Sequence, residues 1–271
     1  MMTKLLKNQI LKKLIGVLIF STLVTSCDFT PRFHKRILLA QEYLNNQDYK
    51  NALNQYRLIL RDNPSNDIKV KIHYQIAEIL SINLGKSLES LEHYRKVKQL
   101  TEDPLWLVKA EERIAEVCFT YKRDYECSSE SYKKLTEFTP RLSRYDFYEY
   151  RLAQSYSHML DYEKAEIIFN DIQKRSNHEY NTRSFYELGL INFEMKKWKY
   201  AIAFWKEYIK RETRRDSITQ AKFLMANAYE TMENLKTAYN IYYSILGEYP
   251  NTQVIQNRLN AIYARRVARK R

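Results

Sequence analysis

Glycine and proline are scarce in this chain: four and five residues among 271. So few glycines exclude a glycine-rich loop that cradles phosphate, and no Gly-x-Ser-x-Gly elbow for a nucleophilic serine occurs. Cysteine is scarcer still, at three, too few for the disulfide framework of a small secreted domain. The five histidines, His34, His73, His93, His158 and His178, form no His-Glu-x-x-His pair and no close cluster with cysteine, so no metal site is expected. No stretch alternates apolar and polar residues long enough to suggest a sheet. Paired carboxylates such as Glu111-Glu112 stand beside lysines and arginines on helical stretches, ordinary surface patterning. The chain reads as a non-enzyme with no cofactor and no small-molecule substrate.

What is abundant is tyrosine, 23 residues, and it is placed in order. Six times a small residue is followed four positions later by a large aromatic: Ala52/Tyr56, Ser90/Tyr94, Ser128/Tyr132, Ala165/Phe169, Ala201/Trp205 and Ala238/Tyr242. Successive aromatics lie 38, 38, 37, 36 and 37 residues apart, the spacing of a repeat array. A second small residue stands 12 or 13 positions before each pair, at Ala40, Ala77, Ala115, Ala153, Gly189 and Ala226, flanked by apolar residues at helical spacing. Each unit thus predicts two helices joined by a short polar turn. The small residues let the helices approach, and the aromatic fills the space between neighbouring hairpins. Pro64, Pro104, Pro140 and Pro250 follow the aromatic of repeats one, two, three and six by 8 to 10 residues, where a second helix must stop.

This pattern resembles the tetratricopeptide repeat, most closely through Ile37, Leu39-Ala40, Tyr43, Ala52, Tyr56, Ile59 and Pro64, and again through Met225-Ala226, Tyr229, Ala238, Tyr242, Ile245 and Pro250. Repeats two and three carry serine for alanine and one extra residue in the turn. The resemblance implies an all-α fold, a right-handed superhelical solenoid of about six hairpins at about 34–66, 70–105, 108–141, 146–178, 182–213 and 219–251. A helix at 253–269 would cap it, giving one elongated domain. It also implies a protein partner held on the face of each repeat's first helix. Carrying the family's groove positions across points to Tyr74, Glu78, Glu112 and Glu116. Farther along come Phe147, Tyr150, Gln154, Arg183, Tyr186, Phe193, Phe223 and Asn227. Rigid aromatics on such a face are typical peptide anchors.

Residues 1–26 read as a signal peptide: Lys4, Lys7, Lys12 and Lys13 precede an apolar run from Leu14 to Val24 that is too short to span a bilayer. The run ends in Leu23-Val24-Thr25-Ser26-Cys27, which resembles a bacterial lipobox. Cys27 would then be acylated and anchor the mature chain in a membrane, with 27–33 as a tether. An ordinary signal peptide with an incidental cysteine is the alternative. Asp28 resembles an inner-membrane retention signal. An outer-membrane address, facing the periplasm, is favoured on the likeness of the whole arrangement to the outer-membrane assembly lipoproteins of the BamD type. That likeness implies a scaffold in envelope assembly. A pilotin-like role for a secretin or pilus system, or docking of peptidoglycan-processing enzymes, are the alternatives.

The chain carries a formal charge of +13, of which the leader's lysines account for four. Arg265, Arg266, Arg269, Lys270 and Arg271 form a basic tail that could meet an anionic lipid or an acidic protein surface; a solvated helix end is the other reading. Nucleic acid does not suit an envelope protein. Of the remaining cysteines, the register buries Cys118 and turns Cys127 outward. An oxidising compartment permits a disulfide, but these facings argue against the geometry one needs.

Overall fold

The computed structural model describes residues 30–269, and no strand occurs among them. Thirteen α-helices follow one another as antiparallel hairpins. The first unit ends at Thr101 and the second begins at Glu102. In the first, α1 (Thr30–Asn45) pairs with α2 (Tyr49–Arg61), and α3 (Asn66–Glu78) with α4 (Ser87–Leu100). In the second, the hairpins are α5 (Pro104–Glu116) with α6 (Tyr125–Thr136), α7 (Tyr145–His158) with α8 (Tyr162–Lys174), α9 (Asn181–Glu194) with α10 (Trp198–Arg211), and α11 (Arg215–Thr231) with α12 (Leu235–Ser244). The last helix, α13 (Thr252–Ala268), packs on α12. The leader, Cys27, Asp28, Lys270 and Arg271 lie outside the described residues. Helix α1 begins at Thr30, inside the stretch expected to be a tether, with Pro31 in its first turn, where a missing N–H costs nothing.

The aromatic ladder is the core. Tyr56, Tyr94, Tyr132, Phe169, Trp205 and Tyr242 are buried, and so is every small residue of both series. Burying each of these aromatics contributes on the order of 2 kcal/mol. The tightest approach is at Gly189, where an added Cβ would fall 2.2 Å from Trp205 Nε1; that indole N–H donates to Tyr186 O at 3.2 Å. Only glycine lets α9 and α10 close on an indole.

Each hairpin turns through one residue in the left-handed region: Gln47, Gly85, Arg123, Leu160, Lys196 and Glu233, with φ between 53° and 64°. They recur with the period of the aromatics, though only one is glycine, so the sequence does not mark them. The next residue caps the second helix. Asp48, Asp124, Asp161 and Asn234 accept from the backbone N–H three positions on, which satisfies one of the orphan donors there. Lys86 and Lys197 occupy that place in hairpins two and five without a side-chain cap.

The extra residue of repeats two and three is absorbed by π-helical segments, Ile79–Asn83 and Val117–Lys122, rather than by a longer loop. In the third hairpin this has a consequence that the register conceals. The wide turn folds Cys118 back toward the first turn of α6, where Cys127 sits half-buried. The two are disulfide-bonded, with Cα atoms 5.9 Å apart. The expectation of mismatched facings is therefore corrected: it assumed α-helical geometry up to the turn. Asp124 brings its carboxylate within 4.8 Å of both sulfurs. That trio departs from the expected lack of a cluster, but the bond engages both sulfurs, and Asp124 caps α6 and meets Lys122 Nζ at 3.2 Å.

The candidate partner-binding face

The first helices of the second unit present two hollows. One, about 230 Å³, is lined by Arg183 and Tyr186 of α9, Tyr208 of α10, and Asp216, Ser217 and Gln220 of α11. The other, about 420 Å³, is lined by Phe193 of α9, Asn227, Glu230 and Thr231 of α11, Glu233 of the turn that follows, and Arg258 and Arg265 of α13. Of the expected wall residues, Arg183 and Tyr186 line the smaller hollow, and Phe193 and Asn227 the larger.

Other expected wall residues are engaged in packing. Tyr150 is a correction: it is 4% exposed, stacked on Tyr180 with centroids 4.4 Å apart. Its hydroxyl donates to Glu187 at 2.5 Å and accepts from Gln154 Nε2 at 3.0 Å and Arg183 Nε at 3.1 Å. Burial, then the Glu187 carboxylate, pushes the Tyr150 hydroxyl pKa well up, so it stays a donor. Gln154 also reaches Glu187, at 3.1 Å. This network binds α7 to α9, and Glu187 is the member that the sequence reading missed. Its place four residues after Arg183, on the same face of one helix, is the signal that could have found it.

Phe147 is half-buried among Tyr132, Tyr148 and Tyr180, with the Arg144 and Arg151 guanidinium groups over its ring at 4.6 and 5.3 Å. Phe223 stacks on Tyr249 at 4.5 Å and Phe193 meets Trp198 edge-on at 4.8 Å, each half-buried. Glu116 is exposed and paired with Arg113 at 2.7 Å. In the first unit Tyr74 lies edge-on to Tyr94, whose hydroxyl donates to Glu78. Glu112 accepts from the Tyr148 hydroxyl and from Arg144 at 3.2 Å. Burial of the ladder residues Tyr94 and Tyr242 leaves their hydroxyls needing acceptors, and first-helix carboxylates, Glu78 and Glu230, supply them.

A second buried cluster sits beside the network. Glu149 meets Arg175 at 2.7 Å and His178 Nε2 at 3.2 Å, and Asp146 lies 3.6 Å from the same nitrogen. His178 Nδ1 accepts from Tyr180 N at 3.1 Å, which leaves its proton on Nε2, aimed at the carboxylates. Burial lowers the His178 pKa although two carboxylates oppose it.

The basic tail is also corrected in part. Arg265 binds Glu230 at 3.2 Å and Glu233, Arg269 binds Glu233, and Arg266 lies 5.8 Å over Tyr239. These cations tie α13 to α11 and α12 instead of forming a patch open to anions.

Comparison with known proteins agrees with this geometry. Residues 220–252 match the tetratricopeptide repeat. No curated protein matches. Among solved structures, PilW, described as a widely conserved type IV pilus biogenesis factor, superposes with a TM-score of 0.53 at 15% identity, over 83% of this chain and 97% of that one. The pilF protein of Pseudomonas aeruginosa gives 0.51 at 14% identity, over 86% and 97%. A signal-transduction ATPase with a tetratricopeptide repeat sensor from Pyrococcus horikoshii gives 0.61 at 15% identity, over 94% of this chain and 44% of its own. The chain is thus all-α with the hairpin fold of tetratricopeptide repeat proteins.

Proposed function

We propose that this chain is an adaptor of the bacterial cell envelope, anchored by lipid on Cys27 and holding a protein partner against the first helices of its repeats. The observation that supports the reading is the pair of hollows on packed hairpins, one lined by Arg183 and Tyr186 and the other by Phe193 and Asn227. Rigid aromatics beside fixed polar groups bind an extended or helical peptide at low entropic cost. The leader and the Cys27 motif support the address, and the reading contains no catalytic step and no cofactor. Assembly of outer-membrane proteins is the process favoured by the likeness of leader, tether and repeats to assembly lipoproteins. A second reading, escort of a secretin or pilus subunit, draws on the fold likeness to a type IV pilus biogenesis factor, an analogy of fold only.

Photo-crosslinking from Tyr186 and Phe223 in intact cells tests the face. Crosslinks to one defined envelope protein are expected, and the same yield from an exposed second-helix position such as Ile167 would remove its support. For the anchor, Cys27→Ser is expected to release the chain into the soluble fraction after a high-salt wash. A variant that stays with the membrane would refute lipidation.

A further inference from the structure

One pocket of the second unit lies away from the hollows described above, among α10, α11 and α12. It holds about 290 Å³. Its floor is apolar: Ile209 of α10, Met225 of α11 and Ile241 of α12. Its rim is cationic: Lys206 and Lys210, four apart and therefore on one side of α10, and Lys222 on α11. The lining contains no carboxylate. The nearest acids are outside it. Glu207 holds Lys210 at 2.5 Å, and Glu248, which Lys222 helps to keep below the usual carboxylate range after Arg215, sits beyond the rim.

An apolar floor ringed by ammonium groups selects an apolar group flanked by anions. The volume is at the small end of ligand cavities, with room for a leucine- or phenylalanine-sized side chain. An α-helix carrying carboxylates three or four positions on either side of such a residue would set them against the two sides of the rim. The chain's formal +13, or 13 − 4 = +9 without the leader's lysines, attracts an acidic segment before contact and speeds encounter. We propose that this pocket is a docking site for an acidic amphipathic helix of a protein partner, with one large apolar residue as anchor. It would be a second point of attachment beside the first-helix face. The inference rests on the adaptor reading only in taking a protein segment as the occupant.

The probe is a pool of short, helix-favouring, fluorescently labelled peptides, each with leucine, isoleucine, methionine or phenylalanine at its centre and glutamates three and four positions to either side. Anisotropy is expected to show saturable binding that weakens as salt rises. The methyl resonances of Ile209, Met225 and Ile241 should shift with the same saturation. The double variant Lys206→Glu/Lys222→Glu, on exposed and half-buried surface, should keep its thermal midpoint and lose at least tenfold in affinity. A matching pool with lysine in place of glutamate should bind that variant and not the native chain, which separates charge recognition from damage to the fold. No saturation up to about 1 mM would overturn the proposal, as would shifts confined to other methyls. Binding of dodecanoate at those methyls in place of the peptides would overturn it in favour of a lipid. A pocket that takes no peptide while crosslinks from Tyr186 and Phe223 persist sinks this inference alone. Loss of those crosslinks with the pocket still binding sinks the first-helix reading alone.

Discussion

The larger first-helix hollow and the lysine-rimmed pocket belong to the same unit and both are rich in cations, yet they use them oppositely. In the hollow, Arg258 and Arg265 meet Glu230 at 3.7 and 3.2 Å, and Arg265 and Arg269 share Glu233. In the pocket, Lys206, Lys210 and Lys222 face an apolar floor with no acid in the lining, and the one close ion pair, Glu207 with Lys210 at 2.5 Å, lies along α10 rather than across helices. A cation matched across helices fixes α13 to its neighbours; one facing an apolar floor is, on our proposal, available to a partner. Positive charge by itself does not mark a site, and what decides is whether the fold has already supplied the counter-charge.

Gly189→Ala should break both regions at once. The new Cβ would strike Trp205, which backs Phe193 of the hollow at a centroid distance of 5.8 Å and shares α10 with Lys206 and Ile209. A loss of about 3 kcal/mol is expected, read as a shifted urea midpoint. Glu230→Gln should make the hollow resemble the pocket. Arg258, Arg265 and the Tyr242 hydroxyl lose a charged partner that is 11% exposed, at a cost of about 2 kcal/mol. The same variant should gain affinity for the acidic peptide pool; unchanged affinity would show that counter-charge is not what separates the two regions. Tyr150→Phe removes only the hydroxyl on which Glu187, Gln154 and Arg183 converge. About 1 kcal/mol is expected, with crosslinking from Tyr186 retained, because Tyr150 is core and not wall.

Acid should have a smaller, graded effect, and its sign follows from His73, His93 and His178, with His158 lowered by burial in the same direction. Burial foremost, then the neighbouring His93, Lys96 and Lys69, lowers His73 to about 4. His93, whose Nδ1 lies 2.9 Å from that of His73, is lowered by burial and by Arg57, against Glu92 and Glu89. His178 is lowered by burial. A lowered histidine binds fewer protons folded than unfolded, so its contribution is complete above the ordinary value near 6.5 and is lost as pH falls below it. The thermal midpoint should therefore drop between about pH 6.5 and pH 4, and His73→Gln should flatten that slope. The smallest change is a gain. Leu160 is exposed with φ 62°, and Leu160→Gly should relieve its left-handed backbone for about 0.5 kcal/mol, after the entropic cost of glycine. Both measurements leave the hollow and the pocket untouched and so calibrate the larger effects.

The sequence by itself determined the hairpins. Recurrence of a small residue and an aromatic at fixed distances can be satisfied only by helices packed at one spacing, so Ala52/Tyr56 through Ala238/Tyr242 announced both the fold and which residues were core. It also set Arg183, Tyr186 and Phe193 on the first-helix side, where the two hollows open, because register on a helix fixes direction. It could not show that Tyr150 turns inward to Glu187, that Glu230 and Glu233 neutralise the tail, or that a π-helical turn brings Cys118 to Cys127. Nor did it foresee the pocket, whose lysines lie on two helices and whose floor lies on three. Those features depend on residues distant in the chain meeting at distances of a few ångströms. Periodicity fixes which side of a helix a residue occupies; only the packed structure decides which charge, hydroxyl or sulfur it meets there.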